Sequence, residues 1–371
     1  MSISPSVDFA RPFSQARWFD VLPRRLACPQ LSARVLLHAG PPFRGTLPAP
    51  VINSAIQALL FEGLASDPAE ARDLVLRGAV ELRPAQNYRV ATPLAQVVSA
   101  SMLLVAVKQH DEICHAPIIE GSAPALRFGS AAPECLRRMR DAGAWIESSV
   151  APLVRRAPLA IDELIRIAVA GGDECHARTT IANEALAARL RGLDAGGVDR
   201  LRAMPAFVLA PLMAAAAAAM RSSRCDIEAI GANGVEFGVR RRGDQAWRQL
   251  PAEAPRGLRF DGMEALTPLA AIGDSAVIDF CGLGGQALAA APLLAAEWSA
   301  ALPADALTRR QSLIDPNTGI VAAQRVLGTA LAPLINLAII DRDGVMGLMG
   351  RGFYSPPLEL FSPAAGLTRA R

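Results

Sequence analysis

The chain has 371 residues, a formal net charge of +3, and a composition that is 51% hydrophobic and 20% charged. So many apolar side chains exclude a mainly disordered chain, and the glycines and prolines lack the fixed period of a collagen-like protein. A positive charge this small and evenly spread excludes a basic nucleic-acid-binding surface. Nearly all of that charge is arginine, since Lys108 is the only lysine.

The first predicted elements alternate between strands and helices. After a proline-rich start, a strand is predicted at 33–37, and the apolar spacing of 51–64 is helical. Asp67 and Pro68 begin a second helix that runs to about Arg77, because aspartate is a good cap and proline fits the first turn. Short strands are predicted at 80–83 and 102–107.

The middle of the chain is predicted to be mostly helical over 132–190, with breaks at Pro152, Pro158 and the pair Gly171-Gly172. A further helical region covers 198–220. Its alanine-rich part is the most membrane-like stretch of the chain, but alanine is weakly apolar and two prolines interrupt it. A buried helix is therefore the better interpretation, and no contact with a membrane is expected.

The sequence pattern of the last third differs from that of the helical middle. GVEFGVRRRG alternates like a strand that ends in a turn, and IGDSAVIDFCGLGG predicts a strand followed by a glycine-rich turn into a helix at 286–299. INLAIIDRDGVMGLMG predicts two strands around the Asp343-Gly344 turn. The prediction is an α+β protein with an α/β portion at 1–130, a largely helical segment at 131–230 and a second α/β portion at 231–371.

Cysteine usage and the N-terminal residues indicate the compartment. The six cysteines form no CxxC pair, and a chain of this size does not need disulfides. The first residues have no apolar core of the kind that a signal peptide needs. We therefore expect reduced thiols and a cytoplasmic location.

The strongest chemical signal is the segment GGDECHAR, which follows the amphipathic helix IDELIRIAVA. Asp173 and His176 are three residues apart and could share a helix face, while Glu174 and Arg178 could form an ion pair. These residue types supply a general acid or base. A polar helix junction with a capping aspartate explains them as well, and a zinc site would need further ligands among His38, His110 and His115.

Other motifs offer groups that could bind substrate. The glycines of GLGG let backbone N–H groups approach an anion, although a tight turn explains them equally well. The motif NGVEFG fits either substrate hydrogen bonding or a plain β-turn. The guanidinium of Arg127 is a fork suited to an anion. The candidates for substrate or anion binding are His38, Glu120, Arg127, Arg178, Asn233, Glu236, Asp274, Ser275, Gly282, Gly284 and Gly285.

Taken in order, HAGPP, EG with LRFG, GDECHAR, NGVEFG, IGDSA and GLGGQALAAAP resemble the domain-of-unknown-function family numbered 1116. The resemblance covers nearly all of the chain from about His38 onward. It implies a multidomain α+β fold with a helical insertion. One departure is that a histidine-rich stretch of the family, which precedes VATPLAQVVSASM, is replaced here by Ala85, Gln86, Asn87 and Tyr88.

The resemblance also implies an activity. A family member is a subunit of the oxamate carbamoyltransferase of allantoin catabolism, which interconverts oxalurate and phosphate with oxamate and carbamoyl phosphate. Members are encoded beside a subunit that resembles a CoA synthetase. The implied partners are that subunit, related subunits of the same operon and a small amide acid, and we also expect a homodimer. Asp173, Glu174 and His176 are the predicted catalytic residues.

Three hypotheses remain open. The first is a carbamoyltransferase subunit with phosphate or carbamoyl phosphate as a substrate. The second is an amide hydrolase that depends on a divalent metal held by His38, Asp173, Glu174 and His176. The third is a non-catalytic scaffold subunit that completes the active site of a partner, which fits the replaced histidines.

Overall fold

Strands form four separate sheets in the computed structural model, which describes residues 7–204 and 206–362. Helices lie between the strands along the whole chain. The strands are β1 (Arg17–Pro23), β2 (Val35–His38), β3 (Glu81–Pro84), β4 (Leu103–Gln109), β5 (Glu112–Pro117), β6 (Leu159–Ala160), β7 (Ile227–Asn233), β8 (Glu236–Arg241), β9 (Arg248–Pro251), β10 (Arg256–Arg259), β11 (Ile272–Gly273), β12 (Ile335–Ile340) and β13 (Leu348–Tyr354).

The helices are concentrated in the middle of the chain, where six of them lie between β5 and β7 with only the two-residue strand β6 among them. Their bounds are α1 (Arg24–Ala27), α2 (Ala49–Glu62), α3 (Pro68–Leu76), α4 (Pro133–Trp145), α5 (Ala151–Arg156), α6 (Ile161–Ala170), α7 (Thr180–Arg189), α8 (Ala195–Arg202), α9 (Leu209–Ser222), α10 (Ala276–Phe280), α11 (Pro292–Glu297), α12 (Arg309–Leu313) and α13 (Ala323–Thr329).

The first sheet has the strand order β5-β4-β1-β6, and helix α9 packs against β4 and β5. All residues of α9 from Ala210 to Met220 are buried. Because alanine ends at Cβ, an alanine-rich helix can approach a sheet more closely than a helix of larger side chains. The membrane-like stretch is thus a buried helix, as the sequence predicts, and no helix of the described residues has the length and apolarity to span a membrane.

The other sheets bring the later motifs together. Strands β2 and β3 pair in parallel, and β11-β7-β8-β9 form an antiparallel sheet that contains the NGVEFG turn. Strands β10-β13-β12 form a third antiparallel sheet. The larger of two apolar clusters among the described residues takes side chains from all three predicted portions, including Leu36, Leu186 and Phe280. The fold is mixed α+β as predicted, while the boundaries at 130 and 230 stay a prediction.

Most predicted elements match the structure. Helix 51–64 corresponds to α2, the Asp67-Pro68 helix to α3, and the final pair of strands to β12 and β13. The six cysteines are unpaired and buried. The carboxylate of Asp67 accepts hydrogen bonds from the N–H groups of Ala69 and Glu70, which is the predicted cap.

Two predictions for the last third were wrong. The apolar residues after IGDS form helix α10 and not a strand, because a short apolar run has no period that separates a buried strand from a buried helix. The helix expected at 286–299 is divided into two 3₁₀ turns and α11. Pro292 begins α11, since proline lacks the N–H that an interior helical residue must donate.

The expected break at Pro152 was also wrong. A π-helical turn at Ile146–Val150 joins α4 to α5, and Pro152 lies in the first turn of α5. The wider turn accommodates a residue without an N–H donor, so the helical path continues through the proline.

The cap of α3 gives a stability test. Replacing Asp67 with alanine removes both hydrogen bonds to the first turn and is expected to lower the free energy of unfolding by about 1 kcal/mol. Asp73→Ala is the control, since its exposed ion pair with Arg77 contributes little. Urea unfolding of both variants checks this, and equal stabilities would contradict the capping role.

Candidate functional site

A buried histidine–carboxylate pair joins the segment GDECHAR to the helix that precedes GLGG. Nδ1 of His176 lies 2.8 Å from Oδ2 of Asp279, and their side chains are 7% and 0% exposed. The one side-chain hydrogen bond of His176 to a described residue is this one through Nδ1, and Nε2 makes none. The geometry fixes Nδ1 as the nitrogen that donates to the carboxylate, so Nε2 is left to exchange a proton with another group.

Local backbone geometry brings the two side chains together. Residues 171–179 leave the helical path after α6, and Cys175 adopts a positive φ of 68° just before His176. Asp279 lies in the short helix α10. The pairing expected on one helix face, between Asp173 and His176, is therefore wrong, because these residues are not in a helix.

Glu174 anchors the loop that contains His176. Its carboxylate accepts hydrogen bonds from the N–H groups of Ala177 and Arg178 and from the side chain of Asn336. The backbone N–H of Asn336 donates to Oδ1 of Asp279 at 3.0 Å. Asn336 on β12 thus joins the Glu174 loop to the carboxylate that holds His176.

The GLGG turn closes around the same carboxylate. The N–H of Gly285 donates to Oδ1 of Asp279 at 2.7 Å, and the N–H of Gly284 donates to the backbone oxygen of Glu174 at 2.7 Å. A Cβ on Gly284 would overlap Oδ1 of Asp279, and Gly284 has a φ of +51°. Both N–H groups are therefore used within the protein, and they do not form the open anion cradle that the sequence suggested.

The carbonyl of Gly282 accepts a hydrogen bond from Arg310 at 2.6 Å, and this glycine has a φ of +82°. A tight turn with close packing, one of the two alternatives left open for GLGG, describes what the structure shows.

Burial and the neighbouring polar groups shift the pKa values of His176 and Glu174 in opposite directions. Burial by itself lowers the pKa of His176, but the charge of Asp279 and the hydrogen bond to it outweigh burial, so the pKa of His176 is raised. Burial raises the pKa of Glu174, although four partners oppose the shift. A histidine with a raised pKa is a better proton carrier at neutral pH than a buried neutral one.

Asp173 has a separate role. Its Oδ2 accepts hydrogen bonds from the N–H groups of Ile181 at 2.5 Å and Ala182 at 3.2 Å, in the first turn of α7. The guanidinium of Arg178 lies 3.9 Å from Oδ1 of Asp173, so the ion pair predicted between Arg178 and Glu174 is wrong. Of the two alternatives for Asp173, the structure shows the helix-capping one.

Asp274 lies at the other end of α10 from Asp279 and is fully buried. It accepts hydrogen bonds from the N–H of Gly40 at 2.8 Å, the N–H of Thr92 at 2.9 Å and the side chain of Gln86 at 2.7 Å. Burial raises the pKa of Asp274 to about 7 despite these donors. Asp274 therefore ties the HAGPP loop to the segment 86–92, which lies between β3 and β4.

Gln86 belongs to the stretch that replaces the family's histidines. Its side chain also exchanges two hydrogen bonds with the backbone of Ile230 on β7. Ser275 follows Asp274 at the N-terminus of α10 and is buried, but its side chain makes no capping hydrogen bond there.

The motifs HAGPP and NGVEFG form a second cluster of contacts. Nδ2 of Asn233 donates to the carbonyl of Pro41 at 3.0 Å, while its Oδ1 accepts from the N–H groups of Val235 and Glu236. The carboxylate of Glu236 accepts a hydrogen bond from Gln249. Asn233 thus forms the β-turn, the alternative to substrate binding that the sequence left open.

His38 is 1% exposed and packs against Phe43, with the ring centroids 4.5 Å apart and the ring planes tilted by 36°. Its Nδ1 donates a hydrogen bond to the backbone oxygen of Ala39 at 2.8 Å. Burial lowers the pKa of His38 to about 4. Within residues 7–204 and 206–362, no group of three His, Cys, Asp or Glu side chains is placed to hold a metal ion.

The last predicted pair is Glu120 and Arg127. Their charged groups lie 3.7 Å apart, and the guanidinium of Arg127 lies over the ring of Phe128. Both residues are buried, and burial lowers the pKa of Arg127. Arg127 is thus a buried partner of Glu120 and not an open anion fork.

Sequence reasoning missed Asp279 and Asn336. Asp279 stands in the apolar run AVIDFC, and its charge there was the available signal, since a buried carboxylate needs partners. Asn336 stands in the predicted strand INLAII, where a single polar residue among apolar ones gives the same signal. The partner of Asp279, however, is 103 residues away along the chain, which spacing arguments cannot reach.

Fold and site together define a mixed α+β protein built around a buried carboxylate–histidine network. The chain belongs to the AllG family, since the family model described as oxamate carbamoyltransferase subunit AllG matches residues 80–275. This confirms the resemblance seen in the sequence motifs.

Two curated relatives from Escherichia coli K12 are similar over most of the chain. The chain is 30% identical to the uncharacterised protein YahG, covering 91% of this chain and 79% of YahG. It is 28% identical to the oxamate carbamoyltransferase subunit AllG, covering 96% of this chain and 93% of AllG. A crystal structure of a conserved protein of unknown function from Enterococcus faecalis V583 superposes with a TM-score of 0.82 at 25% identity, covering 95% and 94% of the two chains.

The buried histidines predict a pH dependence of stability. Burial lowers the pKa of both His38 and His115 to about 4. The unfolded chain binds these protons near pH 6.5, so their contribution to stability is lost as the pH falls from about 6.5 to about 4. The slope is at most about 1.4 kcal/mol per pH unit for each histidine.

Urea unfolding of His38→Gln between pH 4 and 7 measures this slope, and the variant should lose one histidine's share of it. Asp274 acts in the opposite direction because its pKa is raised, so only the difference from the wild-type chain is informative. His110→Asn, at an exposed position, is the control. Superimposable slopes for His38→Gln and the wild-type chain would refute the assignment.

Proposed function

We propose that this chain is a subunit of a carbamoyltransferase-type enzyme that acts on a small amide acid of the oxamate or oxalurate kind. Phosphate or carbamoyl phosphate is the second substrate. Membership of the AllG family supports the reaction class. The observation that supports the site is the buried His176–Asp279 pair, in which Nε2 of His176 makes no hydrogen bond to a described residue.

The chemistry requires one proton to move. In the phosphorolytic direction, a phosphate oxygen attacks the carbamoyl carbon, the bond from that carbon to the amide nitrogen breaks, and the nitrogen gains a proton. In this proposal His176 donates that proton from Nε2 as the general acid. In the reverse direction Nε2 of His176 removes the proton from the attacking amide nitrogen.

Asp279 acts in this proposal by positioning His176. Its carboxylate holds Nδ1–H and raises the pKa of the imidazole, so the protonated form needed for donation is present at higher pH than in a free histidine. Glu174 holds the surrounding loop and takes no proton in the proposed mechanism, since its oxygens accept three hydrogen bonds.

Arg178 is the proposed fork for the carboxylate of the amide acid. It lies two residues after His176, and its side chain is 31% exposed, whereas Arg127 is buried against Glu120. A partly exposed guanidinium two residues from the proton donor along the chain would orient an acid substrate and neutralise part of the charge that phosphate brings.

The two alternatives differ in their support. The metal-dependent hydrolase needs His38, Asp173, Glu174 and His176 around one ion, and the contacts of His38, Asp173 and His176 lead to three different partners. The scaffold alternative keeps the complex with a CoA-synthetase-like subunit but gives His176 no chemical role. We propose the same partner subunits in both cases, so kinetics must separate them.

The test uses the full chain purified with its operon-encoded partner subunits and follows phosphate-dependent breakdown of oxalurate. His176→Ala should lower the rate by about 10²- to 10⁴-fold, the usual contribution of a general acid. Asp279→Asn should also lower it and should shift the basic limb of the kcat/KM profile to lower pH, because the pKa of His176 falls without the carboxylate.

His110→Asn, on the exposed hairpin turn between β4 and β5, is the control that should keep the wild-type rate. Thermal unfolding of each variant distinguishes loss of chemistry from loss of fold. A folded His176→Ala complex with a rate within threefold of the wild-type value would leave only the scaffold role.

A further inference from the structure

A surface cavity lies apart from the His176 site, between the segment 120–122 and helices α4 and α8. Its volume is about 300 Å³. No residue that lines it belongs to the network of His176, Asp279, Glu174 and Asn336. The lining residues are Glu120, Gly121, Ser122, Arg138, Asp141, Ala142, Arg200, Ala203 and Met204.

Two arginines, Arg138 and Arg200, line the cavity, and each guanidinium is held through one of its amino groups. One amino group of Arg138 donates to the carbonyls of Ser122 and Pro124, both at 3.0 Å. One amino group of Arg200 donates to the carbonyl of Asp141 at 2.9 Å, and its guanidinium lies 4.9 Å from the ring centroid of Trp145. Each arginine is thus held by neutral backbone carbonyls, and neither forms a salt bridge with a carboxylate among the described residues.

The charges near the cavity favour an anion. The carboxylate of Glu120 is fully buried and lies 3.7 Å from the guanidinium of Arg127, so its charge is already balanced. Asp141, three residues after Arg138 on helix α4, is the other acid in the lining. The lining itself holds two carboxylates and two guanidinium groups, and with Arg127 counted as the partner of Glu120 the whole set carries a net charge of +1.

Part of the cavity lining is apolar and buried. Ala142 is 3% exposed and Met204 is 5% exposed, and both line the cavity. Ligand sites combine an apolar surface with a few charged groups that fix the orientation of the ligand. The side chains of Ala142 and Met204 would therefore contact the apolar part of a bound molecule.

We propose that this cavity binds a small organic anion, with its carboxylate or phosphate on Arg138 and Arg200 and its apolar part on Ala142 and Met204. Planar guanidinium forks bind both kinds of oxyanion with two parallel hydrogen bonds. The site goes beyond the proposed transferase chemistry, because it shares no residue with the proton-transfer group.

The test titrates the full-length chain with benzoate and with phenyl phosphate, which carry the same apolar ring and different anionic groups. Calorimetry should show saturable one-to-one binding of at least one of them, with the tighter arm identifying the head group. Benzyl alcohol, which has the ring without the charge, should not bind. The fluorescence of Trp145 should change on binding, and Trp145→Phe should remove that signal.

The double variant Arg138→Gln, Arg200→Gln should weaken binding at least tenfold. Arg137→Gln, at an exposed position on the same helix α4, is the matched control and should bind like the wild-type chain. His176→Ala should also bind normally, which separates this site from the proposed transferase site. No saturable binding of either anion, or equal binding by the double variant, would overturn the proposal.

Discussion

The buried carboxylate of Asp279 is the interaction on which the candidate site depends. An ionised carboxylate removed from water is costly unless donors replace the water it loses. Here His176 and the backbone N–H groups of Gly285 and Asn336 supply them. Because these donors come from three distant segments, the carboxylate can be satisfied only when the GDECH loop, the GLGG turn and β12 are all in place. The site and the fold around it therefore form together.

Asp274 gives the same kind of constraint at the opposite end of α10. Its carboxylate gathers donors from Gly40, Gln86 and Thr92, so one short helix carries a buried acid at each end. One acid organises the HAGPP side of the molecule and the other organises the histidine. Any displacement of the five-residue helix α10 would disturb both sets of hydrogen bonds. The position of this helix therefore affects both buried carboxylates at once.

Sequence patterns predicted most helices and the final hairpin, because those signals are local, and they singled out GDECH and GLGG as candidate motifs. Asp67 caps α3 as its position indicated. The pattern misassigned α10, since a buried helix and a buried strand share the same apolar run. It also paired His176 with a neighbour in sequence, whereas tertiary packing pairs it with Asp279, 103 residues away. Contacts between residues so far apart in sequence depend on the folded backbone, and no periodic pattern in the sequence predicts them.

The GLGG turn has a consequence for changing this protein. Its role rests on absent atoms, because a Cβ on Gly284 would overlap Asp279 and one on Gly285 would overlap the backbone of Leu334. In a library of substitutions at these positions, most variants would therefore be lost for steric reasons, whatever the chemistry of the new side chain. Even the methyl group of alanine would push the Asp279 carboxylate away from the His176 imidazole. Arg178, the proposed substrate fork, is under less steric constraint, since its side chain is 31% exposed.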